Sequence, residues 1–348
     1  MERCGRTGNE AGPRRIVHEI EGRSSARTVM LNVATHRMPL APPRDYDVAL
    51  PPDLARYGAS VRARAVGTGP AVVVLGGISA THLVCPDVYG RGGWWPGVVG
   101  AGDAIDPAAS TILGVDFAAD DTGAAAPTTA EQATVVLAAM DAAGITRASF
   151  LGASYGGMVA LSLAATAPER VERIVVISAG PAPHPMATAI RSLQRRIVSL
   201  GMETGRGADA LAIARGLAMV SYRTAQEFGE RFEGGIGSSD PLGGSEPGAY
   251  LCARGEDFVG RMSPGRFLSL SASIDRHRVD PAHVTAPALL IGAESDQLVP
   301  PSQMQALAGA LGGPAELRIL ASRYGHDMFL KETAAMNALV GPFLRGEA

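Results

Sequence analysis

The sequence predicts an α/β fold in which helices cover both faces of a mostly parallel sheet. Short apolar runs with strand character alternate with helix-length segments, which is typical of parallel sheets. With 348 residues and 46% hydrophobic content, the chain can bury one sizeable core. The strand-like runs are residues 60–66, 71–75, 111–117, 147–151, 171–178, 288–291 and 315–320.

Residues 181–280 depart from this alternation and predict a helical insertion. An insertion there overhangs the carboxyl ends of the parallel strands, where ligands bind in such sheets. We therefore predict a helical lid at 181–280, between two core segments at 41–180 and 281–348. The helix-like stretches of the lid are residues 186–200, 208–220 and 224–232, separated by Gly-rich and Ser-rich loops.

The N-terminal residues show no pattern that would join them to this core. Residues 1–40 lack apolar periodicity, and we expect them to form a disordered extension. Residues 1–37 also lack the apolar centre of a signal peptide. The stretch 39–52 is expected to approach the first strand as irregular chain.

The composition indicates a soluble globular protein with no nucleic-acid or membrane partner, and we expect a cytoplasmic location. The formal net charge of −3 gives no electrostatic basis for binding nucleic acid or a strongly anionic membrane. No apolar run reaches the length of about 18 residues that a membrane span needs. Cys4, Cys85 and Cys252 are too widely spaced for a disulfide framework or a zinc knuckle, so we expect no metal site.

A serine on a predicted strand-to-helix turn is the most informative feature of the chain. Ser154 lies in the segment Gly-Ala-Ser-Tyr-Gly-Gly, between the apolar strand 147–151 and a helix-like run at 158–167. Such a turn pushes the hydroxyl into solvent, and small flanking residues let neighbouring backbones approach closely. Ser154 is therefore the predicted nucleophile.

A nucleophilic serine needs a base and a carboxylate that orients the base. Asp296 is expected at the carboxyl end of one strand, with Glu294 as the alternative acid. His326 follows a glycine on the loop after the next strand, a position that suits a base. The chain order Ser154, Asp296, His326 is that of the α/β-hydrolase fold, which we predict here.

Backbone amides near the serine are expected to form an oxyanion hole. Attack on an acyl carbon places negative charge on an oxygen, and amides aimed at that oxygen stabilise it. The candidate donors are the amide of Tyr155 and one amide from Gly77 or Ile78, just after the strand 71–75. A plain glycine turn is the alternative interpretation of that segment.

Several longer motifs occur together between about Val72 and Phe343. They are Gly93-Trp-Trp95, Val99-Gly-Ala-Gly-Asp-Ala-Ile-Asp106, Ser154-Tyr-Gly-Gly-Met158, Ala189-Ile-Arg-Ser-Leu-Gln-Arg-Arg-Ile197, Ser221-Tyr-Arg-Thr224, Tyr250-Leu251 and Tyr324-Gly-His-Asp-Met-Phe329. Together they resemble the homoserine O-acyltransferases of methionine biosynthesis, which are α/β-hydrolase-fold transferases. The resemblance implies an acyl-CoA co-substrate, L-homoserine as acceptor and no bound cofactor.

The resemblance also implies roles for residues around the acceptor. Asp327, directly after the base histidine, receives the ammonium group of the acceptor, and Arg195 on a lid helix receives its carboxylate. One carboxylate and one guanidinium suit a zwitterionic amino acid. Tyr222 is expected to add a hydrogen bond, with a core position as its alternative. Stabilisation of a helix start is the alternative for Asp327.

Two departures from the commoner form of the family resemble its shorter, succinyl-transferring branch. Residues 118–127 lack a Cys-Arg-Gly-Ser-Thr-Gly-Pro-like loop, and Tyr155 follows the nucleophile where methionine is usual. A succinyl tail adds a carboxylate. Arg191 is the first candidate to bind it because it shares a helix face with the acceptor-binding arginine, and Arg196 and Arg223 are the alternatives. We therefore expect succinyl-CoA to be preferred over acetyl-CoA.

The expected reaction is a double displacement through an acyl-serine. The expected partners are small molecules, L-homoserine and an acyl-CoA, and a homodimer is the assembly to test. Homoserine O-acetyltransferase, serine O-acyltransferase, and an esterase or lactonase of the same fold are the alternative activities.

Overall fold

A single sheet lies at the centre of the computed structural model, which describes residues 42–86, 92–233 and 244–347. The extension predicted for residues 1–40 lies outside this described part. The strands are β1 Arg44–Ala49, β2 Ser60–Val66, β3 Ala71–Leu75, β4 Thr111–Val115, β5 Ala148–Ala153, β6 Val171–Ile177, β7 Ala288–Ala293 and β8 Ala315–Leu320.

The strands follow the spatial order β1-β2-β4-β3-β5-β6-β7-β8. The pairs β1–β2 and β2–β4 are antiparallel, and every pair from β4–β3 to β7–β8 is parallel. The mostly parallel sheet predicted from the sequence is therefore confirmed.

Helices accompany the sheet throughout the described residues. They are α1 Thr129–Ala142, α2 Tyr155–Thr166, α3 Pro185–Glu203, α4 Gly207–Tyr222, α5 Ala225–Arg231, α6 Glu246–Val259, α7 Pro264–Asp275, α8 Pro301–Ala310, α9 Met328–Lys331 and α10 Thr333–Arg345. Short 3-10 helices lie at Pro52–Tyr57, Pro168–Arg170, Pro281–His283 and Gly325–Asp327. Within the described ranges, no helix has both the length and the apolar character needed to cross a membrane.

Both faces of the sheet are buried under helices. Along β3, Val73 and Leu75 pack into one apolar cluster, whereas Val72 and Val74 pack into another. The alternation arises because successive side chains of a strand point to opposite faces. Helices α1 and α2 contribute to the first cluster, and α10 contributes to the second. The near-continuous apolar runs in the sequence follow from this double cover.

Strand β1 corrects the expectation that residues 39–52 are irregular. All six residues of Arg44–Ala49 pair with β2 to form an antiparallel edge strand. Only Val48 is buried in β1, so the strand lacks the apolar alternation by which strands are recognised. Backbone pairing forms it, together with the ion pair between Asp45 and Arg64, whose Nε lies 2.6 Å from Oδ1.

The five helices α3 to α7 lie between β6 and β7 in the chain, in the segment predicted as a lid. The sequence analysis distinguished stretches that match α3, α4 and α5 but not α6 and α7. Start signals for both were present, since Ser245 and Ser263 each cap a helix and a proline follows at its first turn.

A buried histidine links the end of α7 to α1 and to the chain after β6. His277 follows α7 and is fully buried, with Nδ1 2.7 Å from Thr129 Oγ1 and Nε2 3.1 Å from the Gly180 carbonyl oxygen. Because Ser162 donates to Thr129 Oγ1 at 2.7 Å, the threonine hydroxyl donates to Nδ1 and the imidazole Nε2–H donates to Gly180. This arrangement suits the neutral ring, and burial lowers the pKa of His277 to about 4.

We expect the free energy of unfolding to decrease as the pH falls from 6.5 to about 4 because of His277. The unfolded chain binds a proton on this ring at a higher pH than the folded chain does, so acid favours unfolding. The slope from this group is about 1.4 kcal/mol per pH unit. Urea unfolding of wild type and His277→Gln at several pH values measures this contribution. We expect the variant to have the lower free energy of unfolding at pH 8, and the difference in free energy between the two proteins to narrow towards pH 4. A difference that stays constant with pH would contradict the assignment.

Candidate active site

Ser154 lies on the sharp turn between β5 and α2. Its φ of +53° and ψ of −118° fall in a sparsely populated region for a residue with a side chain. Close backbone approach makes the neighbouring glycines necessary: a Cβ on Gly156 would lie 2.2 Å from the Leu75 carbonyl oxygen. The turn holds the serine at the carboxyl end of the parallel strands, as the sequence predicted.

Ser154, His326 and Asp296 form a continuous hydrogen-bonded row. His326 Nε2 lies 2.8 Å from Ser154 Oγ, and His326 Nδ1 lies 2.8 Å from Asp296 Oδ2. The other carboxylate oxygen, Asp296 Oδ1, accepts the amides of Leu298 at 2.9 Å and Val299 at 3.0 Å. The structure thus brings together the three residues that the sequence analysis grouped.

The protonation states in this row follow from the paired charges. Burial favours a higher pKa for Asp296, but the charge and hydrogen bond of His326 and two backbone amides outweigh it, and the pKa is lowered. Burial favours a lower pKa for His326, yet the charge and hydrogen bond of Asp296, with the charge of Asp327, raise the pKa above its ordinary value. His326 is therefore a stronger base than an isolated imidazole. Glu294, the alternative acid, is exposed and lines a separate surface depression.

The expected oxyanion donors lie beside the nucleophile. Tyr155 is the first residue of α2, so its amide has no acceptor within the helix. The Gly156 amide donates to the Gly76 carbonyl at 2.8 Å, which fixes the loop after β3 against the start of α2. Gly77, Ile78 and Tyr155 line one cavity with the serine. An anionic oxygen there faces loop amides and a helix N-terminus.

A cavity of about 250 Å³, the large cavity, opens at Ser154 and His326 on the side of these amides. Its charged lining residues are Asp327, Arg215 and Arg261, and much of the remaining wall is apolar or aromatic. A site with one carboxylate and guanidinium groups around an apolar centre can bind a small zwitterion. Within the described residues, no group of three or more His, Cys, Asp or Glu side chains is placed to hold a metal ion.

A cavity of about 50 Å³, the small cavity, meets Ser154 and His326 from the side of α3. Arg191 lines it, and neither an aspartate nor a glutamate does. Of the two alternative candidates for a succinyl carboxylate, Arg196 is exposed and Arg223 is buried in an ion pair elsewhere. The other polar residues that line the small cavity are Ser178, His184, Gln194, Ser221, Tyr222 and Gln303.

Asp327 and Tyr222 both line the large cavity. Asp327 Oδ2 lies 2.8 Å from Arg223 Nε, and Arg223 also pairs with Glu227. Two carboxylates against one guanidinium leave this largely buried group with a net charge of −1. The Tyr222 ring lies 5.6 Å from the His326 ring between centroids, and it lines the small cavity as well.

Arg191 and Arg195 on α3 bind the same carboxylate. Asp275, the last residue of α7, lies 2.6 Å from Arg191 Nη2 and 2.7 Å from Arg195 Nη1. Arg195 also donates to the carbonyl and the hydroxyl of Ser271, each at 3.1 Å, and it lines neither cavity. The structure therefore puts Arg195 outside the cavity that Asp327 lines, because its guanidinium joins α3 to α7.

Arg215 on α4 has the position that the sequence analysis expected for Arg195. It lines the large cavity, and its guanidinium carbon lies 4.9 Å from the ring centroid of Phe258. The sequence analysis missed it because nearly every basic residue of this chain is an arginine, with Lys331 as the only lysine. An arginine at any one position is therefore weak evidence of function. Spacing offered a clue: Arg215 lies seven residues before Tyr222, two turns along the same helix face.

The fold and this site define a protein of the α/β hydrolase class. The family described as alpha/beta hydrolase fold matches residues 70–333. Solved esterase E22 superposes with a TM-score of 0.74 at 18% identity, over 87% of this chain and 99% of that chain. At that identity the likeness establishes the fold alone.

Within that class, the chain belongs to the homoserine O-acyltransferase family. It is 42% identical over 282 residues to the homoserine O-succinyltransferase of Xanthomonas campestris pv. campestris, covering 79% of this chain and 76% of that protein. It is 32% identical over 288 residues to the homoserine O-acetyltransferase of Thermus thermophilus, covering 74% of this chain and 73% of that protein. It is also 32% identical over 329 residues to the serine O-succinyltransferase of Frateuria aurantia, covering 80% of this chain and 89% of that protein. The resemblance stated from the motifs is confirmed.

Proposed function

We propose that this chain transfers an acyl group from acyl-CoA to the hydroxyl of L-homoserine, with succinyl-CoA preferred over acetyl-CoA. The 42% identity to a homoserine O-succinyltransferase carries the proposal. The hydrogen-bonded row Ser154, His326, Asp296 supplies the chemistry that such a transfer needs. An O-acylhomoserine belongs to methionine biosynthesis, and CoA thioesters favour a cytoplasmic location for the reaction.

The first half-reaction acylates the serine. His326 Nε2 takes the hydroxyl proton of Ser154 while Oγ attacks the thioester carbonyl carbon. The amides of Tyr155 and of Gly77 or Ile78 stabilise the oxyanion. The C–S bond then breaks, His326 returns the proton to the departing CoA thiolate, and the acyl group stays on Ser154.

The second half-reaction moves the acyl group to the acceptor. His326 Nε2 takes the proton of the homoserine hydroxyl, whose oxygen attacks the acyl carbon. The bond from that carbon to Ser154 Oγ breaks, and Oγ recovers the proton from His326. Because water competes for the acyl-serine, the lid helices must exclude it from the cavities during transfer.

The acceptor site of this proposal lies in the large cavity. The group around Asp327 carries a net charge of −1 and suits the ammonium of homoserine. Arg215 lines the same cavity and suits the carboxylate, to which a guanidinium binds through two parallel hydrogen bonds. Arg215 therefore replaces Arg195 as the proposed carboxylate-binding residue.

Arg215→Lys is expected to lower kcat/KM for homoserine by about tenfold or more while acylation by acyl-CoA continues. The reason is that an ammonium cannot reproduce a two-point contact to a carboxylate. Steady-state transfer gives the first quantity, and the burst of CoA release without acceptor gives the second.

Arg195→Lys is the matched control on the neighbouring lid helix. It retains a cation beside Asp275, so we expect kcat/KM for homoserine to change by less than about threefold. An acceptor-specific loss in Arg195→Lys, with none in Arg215→Lys, would return the carboxylate-binding role to Arg195.

The proposed function is tested by a panel of two donors and two acceptors. Succinyl-CoA and acetyl-CoA are each combined with homoserine and serine, and the O-acyl products are identified by mass. We expect O-succinylhomoserine to form with the highest kcat/KM. Hydrolysis of simple esters without any O-acyl product would favour the esterase or lactonase alternative.

Serine is the second candidate acceptor because a serine O-succinyltransferase is 32% identical over 80% of this chain. Both amino acids carry the same ammonium and carboxylate, so the large cavity suits either. They differ in one methylene, which changes the reach from the two charged groups to the hydroxyl. A higher kcat/KM for serine in the same panel would favour this second candidate.

A further inference from the structure

The small cavity contains a second buried serine with no partner for its hydroxyl. Ser178 follows β6 and is fully buried, and its Oγ has no hydrogen-bond partner. Its φ is +49°, a left-handed backbone conformation that costs free energy in a residue with a side chain. An unpaired buried hydroxyl is unfavourable, and an acceptor group bound in the cavity would satisfy it.

Ser178 lies beside the nucleophile at the carboxyl ends of the neighbouring strands β5 and β6. Ala153 and Ile177 are register partners in β5 and β6, and the Ser154 amide donates to the Ile177 carbonyl at 2.8 Å. The residue that follows each strand is a serine, Ser154 after β5 and Ser178 after β6. Since neighbouring strands are about 4.8 Å apart, a group of four or five atoms extending from Ser154 reaches the hydroxyl of Ser178.

The charge around the small cavity is positive. Arg191 lines the cavity, and Arg191 and Arg195 together share the single carboxylate of Asp275. Two guanidinium groups against one carboxylate leave a net charge of +1. The large cavity differs in having both signs of charge in its wall, with Asp327 as a carboxylate and Arg215 and Arg261 as cations. A zwitterionic acceptor therefore suits the large cavity and a singly anionic chain suits the small one.

The size of the small cavity agrees with a short chain. Its volume of about 50 Å³ holds roughly four water-sized groups. The part of a succinyl group beyond the reacting carbonyl has two methylenes and one carboxylate. An acetyl group has a single methyl there and leaves most of the cavity, including Ser178 and Arg191, without contact.

We propose that the small cavity binds the tail of a dicarboxylic acyl group carried on Ser154, and that Ser178 and Arg191 bind its terminal carboxylate. This inference rests on the proposed acyl-transfer function. Ser178 donates its hydroxyl hydrogen to the carboxylate, and Arg191 adds a charge-assisted bond from a guanidinium already oriented by Asp275. Ser178 is thus a specificity-determining residue for the acyl donor.

Gln303 lines the same cavity but is a poorer partner for a carboxylate than Arg191. One N–H of its Nε2 donates to the Ala182 carbonyl at 2.6 Å, and its Oε1, which has no partner, is an acceptor that repels another acceptor. Arg191 carries donors alone, and the unpaired hydroxyl of Ser178 can donate. The side chain also fills the space beside Gly180, where a Cβ would lie 2.7 Å from it.

The test compares donors in wild type, Ser178→Ala and Ser178→Gly. Both variants remove the hydroxyl, and glycine additionally tolerates the positive φ, so agreement between them excludes backbone strain as the cause. We expect each to lower kcat/KM for succinyl-CoA by about tenfold or more relative to acetyl-CoA, as for loss of a hydrogen bond to a charged group. Ser149→Ala removes a buried hydroxyl from β5 that lines neither cavity, and the donor ratio should stay within about twofold of wild type.

The possible outcomes separate the two proposals. An unchanged donor ratio in both Ser178 variants, or a wild-type preference for acetyl-CoA, overturns the tail-binding site and leaves acyl transfer in place. A wild type that transfers from neither donor to homoserine or serine overturns the proposed function itself. Far-ultraviolet circular dichroism checks that each variant is folded.

Discussion

Ser154→Ala is expected to abolish acyl transfer, with kcat/KM for acyl-CoA lowered by at least about 10⁴-fold and the fold intact. The hydroxyl is the proposed carrier of the acyl group, and His326 Nε2, 2.8 Å away, has no other proton to take from this position. Alanine adopts the φ of +53° as serine does, so the free energy of unfolding should change little. Steady-state transfer and urea unfolding measure the two quantities.

A covalent adduct provides the direct measurement for this prediction. Intact-protein mass spectrometry of wild type with acyl-CoA and no acceptor should show one added acyl group, and peptide mapping should assign it to Ser154. Ser79→Ala is the matched control, because Ser79 lines the same large cavity and should leave the adduct unchanged. Substantial turnover by Ser154→Ala, or an adduct on another residue, would remove the double-displacement mechanism.

Asp296→Asn is expected to lower kcat/KM by about 10⁴-fold. Asp296 Oδ1 accepts two backbone amides, from Leu298 and Val299, and an asparagine oxygen is held there in the same way. The asparagine NH₂ then faces His326 Nδ1, which must accept its hydrogen. The imidazole proton moves to Nε2, and the nitrogen beside Ser154 can no longer take a proton.

The pH profile distinguishes this loss of the base from a general loss of structure. In wild type, the raised pKa of His326 means that kcat/KM falls as the pH drops through that value, since only the neutral ring is a base. Without the charge of Asp296, the acid limb of the profile should move to lower pH. Glu294→Gln is the control, because Glu294 is exposed outside the hydrogen-bonded row, and its kcat/KM should stay within about twofold of wild type. An equal loss in both variants would make Glu294 part of the mechanism.

Much of the core was predictable because its signals are local. Strands β2, β3 and β8 have the bounds that the sequence predicted. Strand β3 is a buried parallel strand with a continuous apolar run, whereas β2 is antiparallel and alternates between buried and more exposed residues. Strand β1 was missed because it is formed by pairing with β2, with only Val48 buried. Helices α6 and α7 were not predicted because few of their residues are buried and apolar, so their caps at Ser245 and Ser263 are their main sequence signals.

The sequence by itself determined the class of the protein and two members of the hydrogen-bonded row, Ser154 and His326, whereas the structure selected Asp296 over Glu294 as the acid. The strand-to-helix turn and the chain order of serine, acid and histidine suffice for this because parallel strands bring their carboxyl ends to one edge of the sheet. Motif similarity then indicated the family, which the 42% identity confirmed.

Only the tertiary structure decided which arginines face the substrate cavities. Arg191 and Arg195 lie on α3 and Arg215 lies on α4, and apart from the spacing of Arg215 from Tyr222 their sequence surroundings do not distinguish them. Packing of α3 against α7 brings Asp275 to Arg195 and removes that guanidinium from the cavities, whereas α4 directs Arg215 into the large one. The physical reason is that ion-pair partners come from helices distant in the chain, and the packing of those helices selects which charge stays available to a ligand.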